Sequence, residues 1–286
     1  MRKNNWSKLI FSFFTFFSIS LLFLIFLFII KESLPFFKDI GIIDFLKGKS
    51  WRSGTNLNYG LLPILLASIY SSFIAIVIAT PISLSISLLI VGYISNRYKK
   101  YINNMLNLLS GIPSVIYGFL GLKVIVKFFE NNLNMPTGES TLAGGILLAL
   151  MIVPFITSVT VDKMEKTYSK YMEIATSLGL SKIYFLRTVI LKDSLKNLLA
   201  GVLLGLGRAF GETMAVMMVI GNAPIMPKLL GKAQTIPSLI ALEMGMAEVG
   251  SIHYHSLFAA GLVLMIINII INLLFSIVSR SSNEEV

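Results

Sequence analysis

The stretch LIFSFFTFFSISLLFLIFLFII, which runs from Leu9 to Ile30, contains no charged residue. A helix needs about 20 mostly apolar residues to cross the ~30 Å hydrocarbon core of a membrane, and this stretch is long enough. Basic residues precede it at Arg2, Lys3 and Lys8, as they also precede a signal peptide. However, the stretch is too long for the core of a typical signal peptide, and no small-residue cleavage site follows it. It therefore predicts a retained membrane helix.

Five further apolar runs along the chain are also long enough to span a membrane. They are Leu61–Val91, Leu106–Phe129, Leu142–Val161, Leu198–Ile220 and Leu257–Val278. Of the 286 residues, 55% are hydrophobic and only 13% are charged, whereas charged residues make up about 25% of an average soluble domain. The pattern predicts an all-α integral membrane protein with about six transmembrane helices.

The charged residues indicate how the chain is oriented and which partners it lacks. The formal net charge is +10, but the Lys and Arg residues lie between the apolar runs, where they face lipid headgroups rather than nucleic acid. With the N-terminus in the cytoplasm, the inside segments hold more Lys and Arg than the outside segments. This bias predicts that both termini are cytoplasmic. The chain has no cysteine, which excludes disulfides and thiolate metal sites.

The longest segment predicted to be cytoplasmic, Asp162 to Lys196, is too rich in apolar residues to be a linker. Apolar residues recur at helical spacing on both sides of Gly179, which predicts two short helices that meet at a glycine turn. Ser181 is suited to cap the second helix. Such a knob can insert into a groove on a partner protein, but a basic amphipathic helix pair can also lie on the bilayer. The residues alone leave both interpretations open.

This segment resembles the cytoplasmic signature of importer permeases driven by ATP-binding cassettes: E-A-A, three residues, G, nine residues, I-x-L-P. The residues that match in register are Glu173, Ala175, Gly179 and Leu191. Ile174 replaces the middle alanine, and Lys192 replaces the terminal proline. The resemblance implies a coupling helix that seats on a separate ATPase subunit.

Two opposite charges, Arg208 and Glu212, interrupt the fifth apolar run. Residues four apart lie on one face of a helix, so the two side chains are expected to pair. An arginine at mid-membrane costs roughly 2.5–3.5 kcal/mol on insertion scales, so its presence needs a reason. One interpretation is a buried ion pair that locks helix packing. The other is a polar path in which Arg208 is available to an anion.

Four glycines in the same run are spaced for close helix packing. Gly201 and Gly205 form one pair of small residues four apart, and Gly207 and Gly211 form another. Such pairs let helix backbones approach each other in membranes. We expect them to bring a neighbouring helix close to the charged pair.

The run from Gly205 to Pro224 closely resembles the C-type (PstC) permease subunits of phosphate-specific transporters, and GIPSVIYGFLGL, from Gly111 to Leu122, also looks like this family. The resemblance extends over Leu61 to Ser279. It implies a type I ATP-binding-cassette importer permease fold with a cytoplasmic coupling-helix loop, in a bacterial cytoplasmic membrane.

In this interpretation the chain has three parts. The residues 1–59 form an N-terminal transmembrane helix and an extracytoplasmic loop, 60–280 form a permease core of five helices, and 281–286 form a cytoplasmic tail.

The resemblance also implies partners and a substrate. The partners are an A-type permease subunit, two copies of an ATP-binding-cassette ATPase and an extracytoplasmic phosphate-binding protein. Inorganic phosphate would pass between the two permease subunits near Arg208 and Glu212. We hypothesise that Glu212 holds Arg208 at rest and competes with phosphate for it. The chain has no G-x-x-x-x-G-K-[ST] loop, so we expect no cofactor in it, with ATP and Mg²⁺ bound by the ATPase.

Three alternative functions remain open. One is a permease for another oxyanion, such as sulfate, molybdate or phosphonate. The second is an ion-gradient-driven secondary transporter, although such proteins often contain internal repeats and none is evident here. The third is an intramembrane enzyme, for which Arg208 and Glu212 are a poor acid–base pair.

Two features near the C-terminus are interpreted without a function. His253 and His255 are expected to be solvated loop residues rather than metal ligands. The segment Ile225 to Ser251 either re-enters the membrane or packs on the outer mouth, and the sequence does not decide between these.

Overall fold

The computed structural model of the protein describes residues 5–53, 57–133 and 135–283. Arg2 and Lys3, which flank the first predicted span, lie outside these residues, as does the end of the predicted tail (284–286). The helices are α1 (Asn5–Ile40), α2 (Ile42–Lys47), α3 (Leu62–Tyr93), α4 (Asn96–Gly111), α5 (Ser114–Leu120), α6 (Lys127–Asn132), α7 (Thr141–Ser177), α8 (Lys182–Phe185), α9 (Leu191–Gly211), α10 (Met214–Met217), α11 (Ile236–Glu243) and α12 (Ile252–Asn283).

Shorter elements connect these helices. A π-helical turn at Gly121–Val126 joins α5 to α6, another at Leu186–Ile190 joins α8 to α9, and a 3₁₀ turn at Met244–Met246 follows α11. An antiparallel hairpin pairs β1 (Trp51–Arg52) with β2 (Asn58–Tyr59).

Four helices in the described part of the chain are long and apolar enough to cross a membrane. They are Lys8–Ile40, Leu62–Tyr93, Thr141–Ser177 and Ile252–Arg280. Each is longer than the about 20 residues that a span needs, so each extends past the hydrocarbon core at one or both ends. The first, second, fourth and sixth predicted runs therefore form helices of the expected kind.

The third predicted run is bent rather than straight. Arg97–Gly111 and Ser114–Asn132 together pass as one span, but they meet at 89°. Pro113 lies at the break. A proline has no backbone N–H to donate, so it cannot continue the preceding helix. Across the bend the Tyr117 hydroxyl donates to the carbonyl oxygen of Leu109 at 2.9 Å.

The fifth predicted run, Leu198–Ile220, is wrong as a continuous helix. α9 ends at Gly211, and Glu212 takes extended backbone angles (φ −72°, ψ 125°) before the single turn of α10. Judged by length and composition, the described residues contain four membrane-spanning helices, or five if the bent pair is counted as one span, rather than about six. α9 nevertheless packs against α7 and α12 and so belongs to the bundle.

Helix α7 is the centre of the bundle. It packs against α3 and α9, while α9 packs on α12 and α12 on α1. The buried face of α3 consists largely of small residues: Ala67, Ser71, Ala75, Ala79, Ser83 and Ser87. Small residues let membrane helices approach closely, and the Ser83 hydroxyl donates to the Val153 carbonyl of α7 at 3.2 Å. A Cβ on Gly145 of α7 would lie 2.5 Å from a methyl carbon of Ile74, so this glycine is needed for the close contact.

The bundle has two distinct ends. Near the start of α12, Phe258 meets Phe28 of α1 edge-on, with ring centroids 5.6 Å apart, so α1 and α12 run antiparallel. The start of α3 packs with the start of α12 through Leu61 and Leu257. The other end of α3 packs on the segment after α7, where Leu186 joins the same cluster as Ile90. The first turns of α1 and the last turns of α12 therefore lie at the end that carries Asp162 to Lys196, which we call the coupling segment after the signature it resembles.

The opposite end is closed by α2, the hairpin and α11. Phe36, Phe45, Trp51 and Tyr59 are buried there and contact one another mostly edge-to-face, an arrangement worth about 0.5–1.5 kcal/mol per pair beyond burial. Burial and, secondarily, the Glu243 carboxylate raise the pKa of the Tyr59 hydroxyl. Part of the undecided segment, α11, is packed into this end through its buried residues, which are Ile236, Pro237, Ser238 and Leu239.

His253 and His255 are not solvated loop residues, as the sequence suggested, but lie in the first turn of α12 with side chains only 16% and 15% exposed. His253 Nε2 is 3.4 Å from Glu243 Oε2, which also accepts a hydrogen bond from Trp51 Nε1 at 3.0 Å. His255 Nδ1 lies 2.7 Å from the carbonyl oxygen of Glu32 and 3.5 Å from its carboxylate. The expectation failed because both carboxylates are brought to the histidines by helix packing rather than by sequence proximity.

Candidate functional site

Arg208 lies one turn before the end of α9 and points towards α7. Its guanidinium carbon is 4.3 Å from the centroid of the Phe155 ring, which is a cation–π contact. Its Nε is buried without a hydrogen-bond partner. Within the described residues, Arg208 has no carboxylate at ion-pair distance, so its positive charge is not neutralised by this part of the chain.

A cavity of about 210 Å³ opens beside this guanidinium. Its lining residues are Phe155, Leu204, Gly207, Arg208, Asn268 and Asn272. The two asparagines lie four residues apart on α12, so both face α9. Sequence reasoning missed them, although two amides at helical spacing in the apolar run Leu257–Val278 are a readable signal.

Glu212 does not join this cavity, and the expected ion pair with Arg208 is not formed. The pairing argument assumed one continuous helix, but α9 ends between the two residues, at Gly211. The Glu212 carboxylate instead accepts a hydrogen bond from the Ala215 backbone N–H at 3.3 Å, at the start of α10. Glu212 is thus a helix-capping residue in this conformation, and Arg208 is left available to other groups.

The four predicted packing glycines have different surroundings. A Cβ on Gly201 would lie 3.3 Å from the carbonyl oxygen of Ile156, and one on Gly205 would lie 3.3 Å from the side chain of the same residue. Gly207 faces α12, and an added Cβ would lie 3.5 Å from a methyl carbon of Ile271. A Cβ on Gly211 would have no heavy atom within 4 Å, so helix packing does not require this glycine.

The two segments that resemble phosphate permeases contact each other. α5, from the segment Gly111–Leu122, packs against α10, which follows Glu212. A Cβ on Gly118 would lie 2.7 Å from the sulfur of Met218 and 3.0 Å from the Cα of Ala215. A side chain at this position would clash with both, so Gly118 lets α5 pack closely on α10.

The coupling segment has the predicted glycine turn. Gly179 has φ +66°, which is the left-handed region that glycine adopts without strain. The Ser181 hydroxyl accepts a hydrogen bond from the Tyr184 N–H at 3.4 Å and caps α8. The first helix is not a separate short helix, however: α7 continues from the bundle to Ser177 without a break.

The predicted coupling residues surround this turn. Glu173 is exposed, Ala175 is buried, and Leu191 is partly buried at the start of α9. Four apolar side chains near the turn at Gly179 are more than half exposed, and we call this surface the coupling tip: Ile174, Leu178, Ile183 and Tyr184. An exposed apolar patch of this kind marks an interaction surface.

Ion pairs fix the base of the coupling segment to its neighbours. Lys99 Nζ lies 3.1 Å from Glu165 and joins α4 to α7. Lys163 Nζ lies 3.6 Å from Asp193, which also accepts a hydrogen bond from the Thr167 hydroxyl and joins α7 to α9. The lower part of α7 is therefore tied to two neighbouring helices, α4 and α9.

Comparison with known proteins places this geometry in a family. The residues 84–283 match the family described as binding-protein-dependent transport system inner membrane component. The chain is 35% identical, over 239 residues, to the probable ABC transporter permease protein YqgH of Bacillus subtilis, and the match covers 83% of this chain and 77% of that protein. It is also 35% identical, over 248 residues, to the phosphate transport system permease protein PstC of Mesorhizobium japonicum, with 80% and 75% covered.

Solved structures share the fold at low sequence identity. The MetNI methionine ABC transporter in an inward-facing conformation contains a chain that matches with a TM-score of 0.55 and 17% identity. The match covers 78% of this chain and 94% of that chain. The predicted importer permease fold is therefore confirmed.

Proposed function

The chain belongs to the family of binding-protein-dependent transport system inner membrane components, and on that basis we propose that it is the C-type permease subunit of an ATP-driven importer of inorganic phosphate. Relatives named PstC support this substrate. Arg208 is the observation that carries the proposal, since it offers a cation inside the helix bundle that no carboxylate of the described residues neutralises.

A phosphate anion needs compensating positive charge to cross a region of low dielectric constant, because charge interactions are poorly screened there. Arg208 provides that charge, and its planar fork of N–H donors matches the oxygens of a phosphate. Phe155 holds the guanidinium by its ring face and leaves the N–H edges available. In this conformation the Glu212 carboxylate caps α10, so it does not compete with phosphate for Arg208.

The remaining assembly follows from the family. We propose an A-type permease as partner, two copies of an ATP-binding-cassette ATPase, and an extracytoplasmic phosphate-binding protein. The exposed apolar tip around Gly179 would seat on the ATPase, which binds ATP and Mg²⁺, so this chain needs no cofactor. We place the protein in a bacterial cytoplasmic membrane with both termini in the cytoplasm, because the first turns of α1 and the last turns of α12 lie on the same side of the bundle as the coupling tip.

Radiolabelled phosphate uptake at micromolar external phosphate tests this function. Cells would carry the intact chain, a deletion, or the variants Arg208→Lys, Arg208→Gln and Arg208→Glu, with excess sulfate and a proton uncoupler tested in parallel. We expect uptake that is lost on deletion, insensitive to sulfate, and reduced least by Arg208→Lys and most by Arg208→Glu, which repels the anion.

Arg280→Gln is the matched control, because Arg280 is an exposed cation near the end of α12. It should leave uptake unchanged while Arg208→Gln reduces it. Equal uptake by Arg208→Lys and Arg208→Glu would contradict the role of Arg208. Unchanged phosphate uptake on deletion, in cells without another phosphate system, would overturn the substrate and leave the permease fold standing.

A further inference from the structure

Asn268 and Asn272 place two amides opposite Arg208 in the same cavity. Neither amide forms a hydrogen bond with another described residue, and the Nε of Arg208 is also without a partner. The Arg208 Nε is buried, whereas Asn268 is partly buried and Asn272 is exposed in the single chain, so the rule that buried polar groups are hydrogen-bonded applies to Arg208. The unpartnered Nε, with two amides that line the same cavity, therefore indicates a ligand or a partner that the described part of this chain does not supply.

The cavity lies deep within the helices that form spans. At 1.5 Å per residue, Asn268 is about 24 Å along α12 from its start at Ile252. Phe155, beneath the guanidinium, is about 21 Å along α7 from its start at Thr141. The two starts lie towards the end of the bundle opposite the coupling segment, so the polar groups share one depth, where lipid offers no hydrogen-bond partner.

The side chains in the cavity are suited to a protonated oxyanion. Arg208 and the amide N–H groups donate hydrogen bonds, and the amide oxygens accept them. Phosphate near neutral pH carries both oxygens that accept and at least one P–OH that donates, whereas sulfate has no proton to donate. A cavity of about 210 Å³ also leaves space for water, which occupies ~30 Å³ per molecule in the liquid.

We propose that Asn268 and Asn272 bind the transported oxyanion and, with Arg208, form a subsite within the membrane. One amide donates to a phosphate oxygen while the oxygen of the other accepts the P–OH hydrogen. This assignment rests on the proposed function for the identity of the anion. The competing explanation is that the amides bond to the second permease, as polar residues often do between membrane helices.

The test uses the intact complex with its partner subunits, in membranes that carry Asn268→Leu, Asn272→Leu or Asn268→Gln. Radiolabelled inorganic phosphate uptake, ATPase activity stimulated by the loaded binding protein, and recovery of the assembled complex are measured together. We expect each leucine variant to lose about tenfold in uptake, the effect of one hydrogen bond to a charged group. Complex recovery and ATPase activity should persist, and Asn268→Gln should retain more uptake than Asn268→Leu.

Asn104→Leu is the matched control, because Asn104 is exposed on α4, away from the cavity. Uptake by both leucine variants at the level of this control would overturn the subsite. Failure of those variants to assemble with the second permease would also overturn it and assign the amides to the interface. If the unaltered complex takes up sulfate instead of phosphate, the proposed substrate fails, and the same variants assayed with sulfate decide the subsite separately.

Discussion

Arg208 differs from an arginine held in an intrahelical ion pair, because its only close partner in the described chain is an aromatic ring. A cation–π contact contributes about 0.5–2 kcal/mol, which is small beside the cost of removing a guanidinium from water. The ring fixes the position of the charge without cancelling it. A residue held in this way suits transient binding, since an anion does not have to displace a carboxylate.

Gly118 lies where α5 meets α10, and because it has no side chain the two helices can approach closely. Gly118→Ala places a methyl group 2.7 Å from the Met218 sulfur and 3.0 Å from the Ala215 backbone. Overpacking of this kind costs typically about 1–3 kcal/mol, which exceeds the gain of up to about 1 kcal/mol from replacing glycine in a helix. We expect a lower melting temperature of the purified protein and reduced transport.

Gly261→Ala provides the comparison for this prediction. Gly261 lies inside α12, and its nearest heavy atom to an added Cβ is 3.7 Å away, an ordinary contact. This variant should melt at or slightly above the unaltered temperature, because it gains helix propensity without a clash. Equal melting temperatures of the two variants would show that α5 does not press on α10 at Gly118.

Among the secondary-structure elements, α7 connects the candidate site to the coupling tip. α7 carries Phe155 beneath Arg208 and Ala175 in the buried base of the tip. The two residues are about 30 Å apart along a continuous helix, at 1.5 Å per residue. If a partner docks on the tip as proposed, the continuous α7 connects that contact to the wall of the Arg208 cavity.

Leu178→Asp tests the tip as a docking surface. Leu178 is 69% exposed, so a charged substitution does not disturb the core. Burying a leucine side chain stabilises an interface by about 1.5–3 kcal/mol. We therefore expect the amount of co-purified ATPase and the rate of phosphate uptake each to fall at least about tenfold in the variant. Recovery of the permease itself from membranes should be unchanged.

Ser169→Asp introduces the same carboxylate more than two helical turns before the tip, at an exposed position of α7. It should retain both the ATPase and uptake. Loss of ATPase to the same extent in both variants would indicate a general charge effect on this face. Retention of ATPase by Leu178→Asp would exclude the apolar tip as its docking surface.

For the whole molecule, hydropathy predicted the first, second, fourth and sixth spans, because membrane insertion depends on the local average of side chains. The ends of helices were less predictable: α9 ends at Gly211 inside an apolar run that carries no proline before Pro224. The glycine turn at Gly179 was predictable because its backbone requirement is local. The partner of His255 was not, because Glu32 lies 223 residues away in sequence.

The end of the bundle opposite the coupling tip depends on a polar clamp, and this makes Glu243 important for the stability of the whole molecule. Its carboxylate accepts a hydrogen bond from Trp51 and contacts His253, so it ties the hairpin and α11 to α12. Glu243→Gln removes the charge that faces His253, and Glu243→Ala leaves the buried Trp51 N–H unsatisfied, at a cost of about 1–3 kcal/mol. We expect the melting temperature of the purified protein to be highest for the unaltered chain, lower for Glu243→Gln and lowest for Glu243→Ala.

Glu248→Ala is the control, at an exposed position five residues later, and should melt like the unaltered protein. If Glu243→Ala also melted like the unaltered protein, aromatic packing alone would hold this end closed.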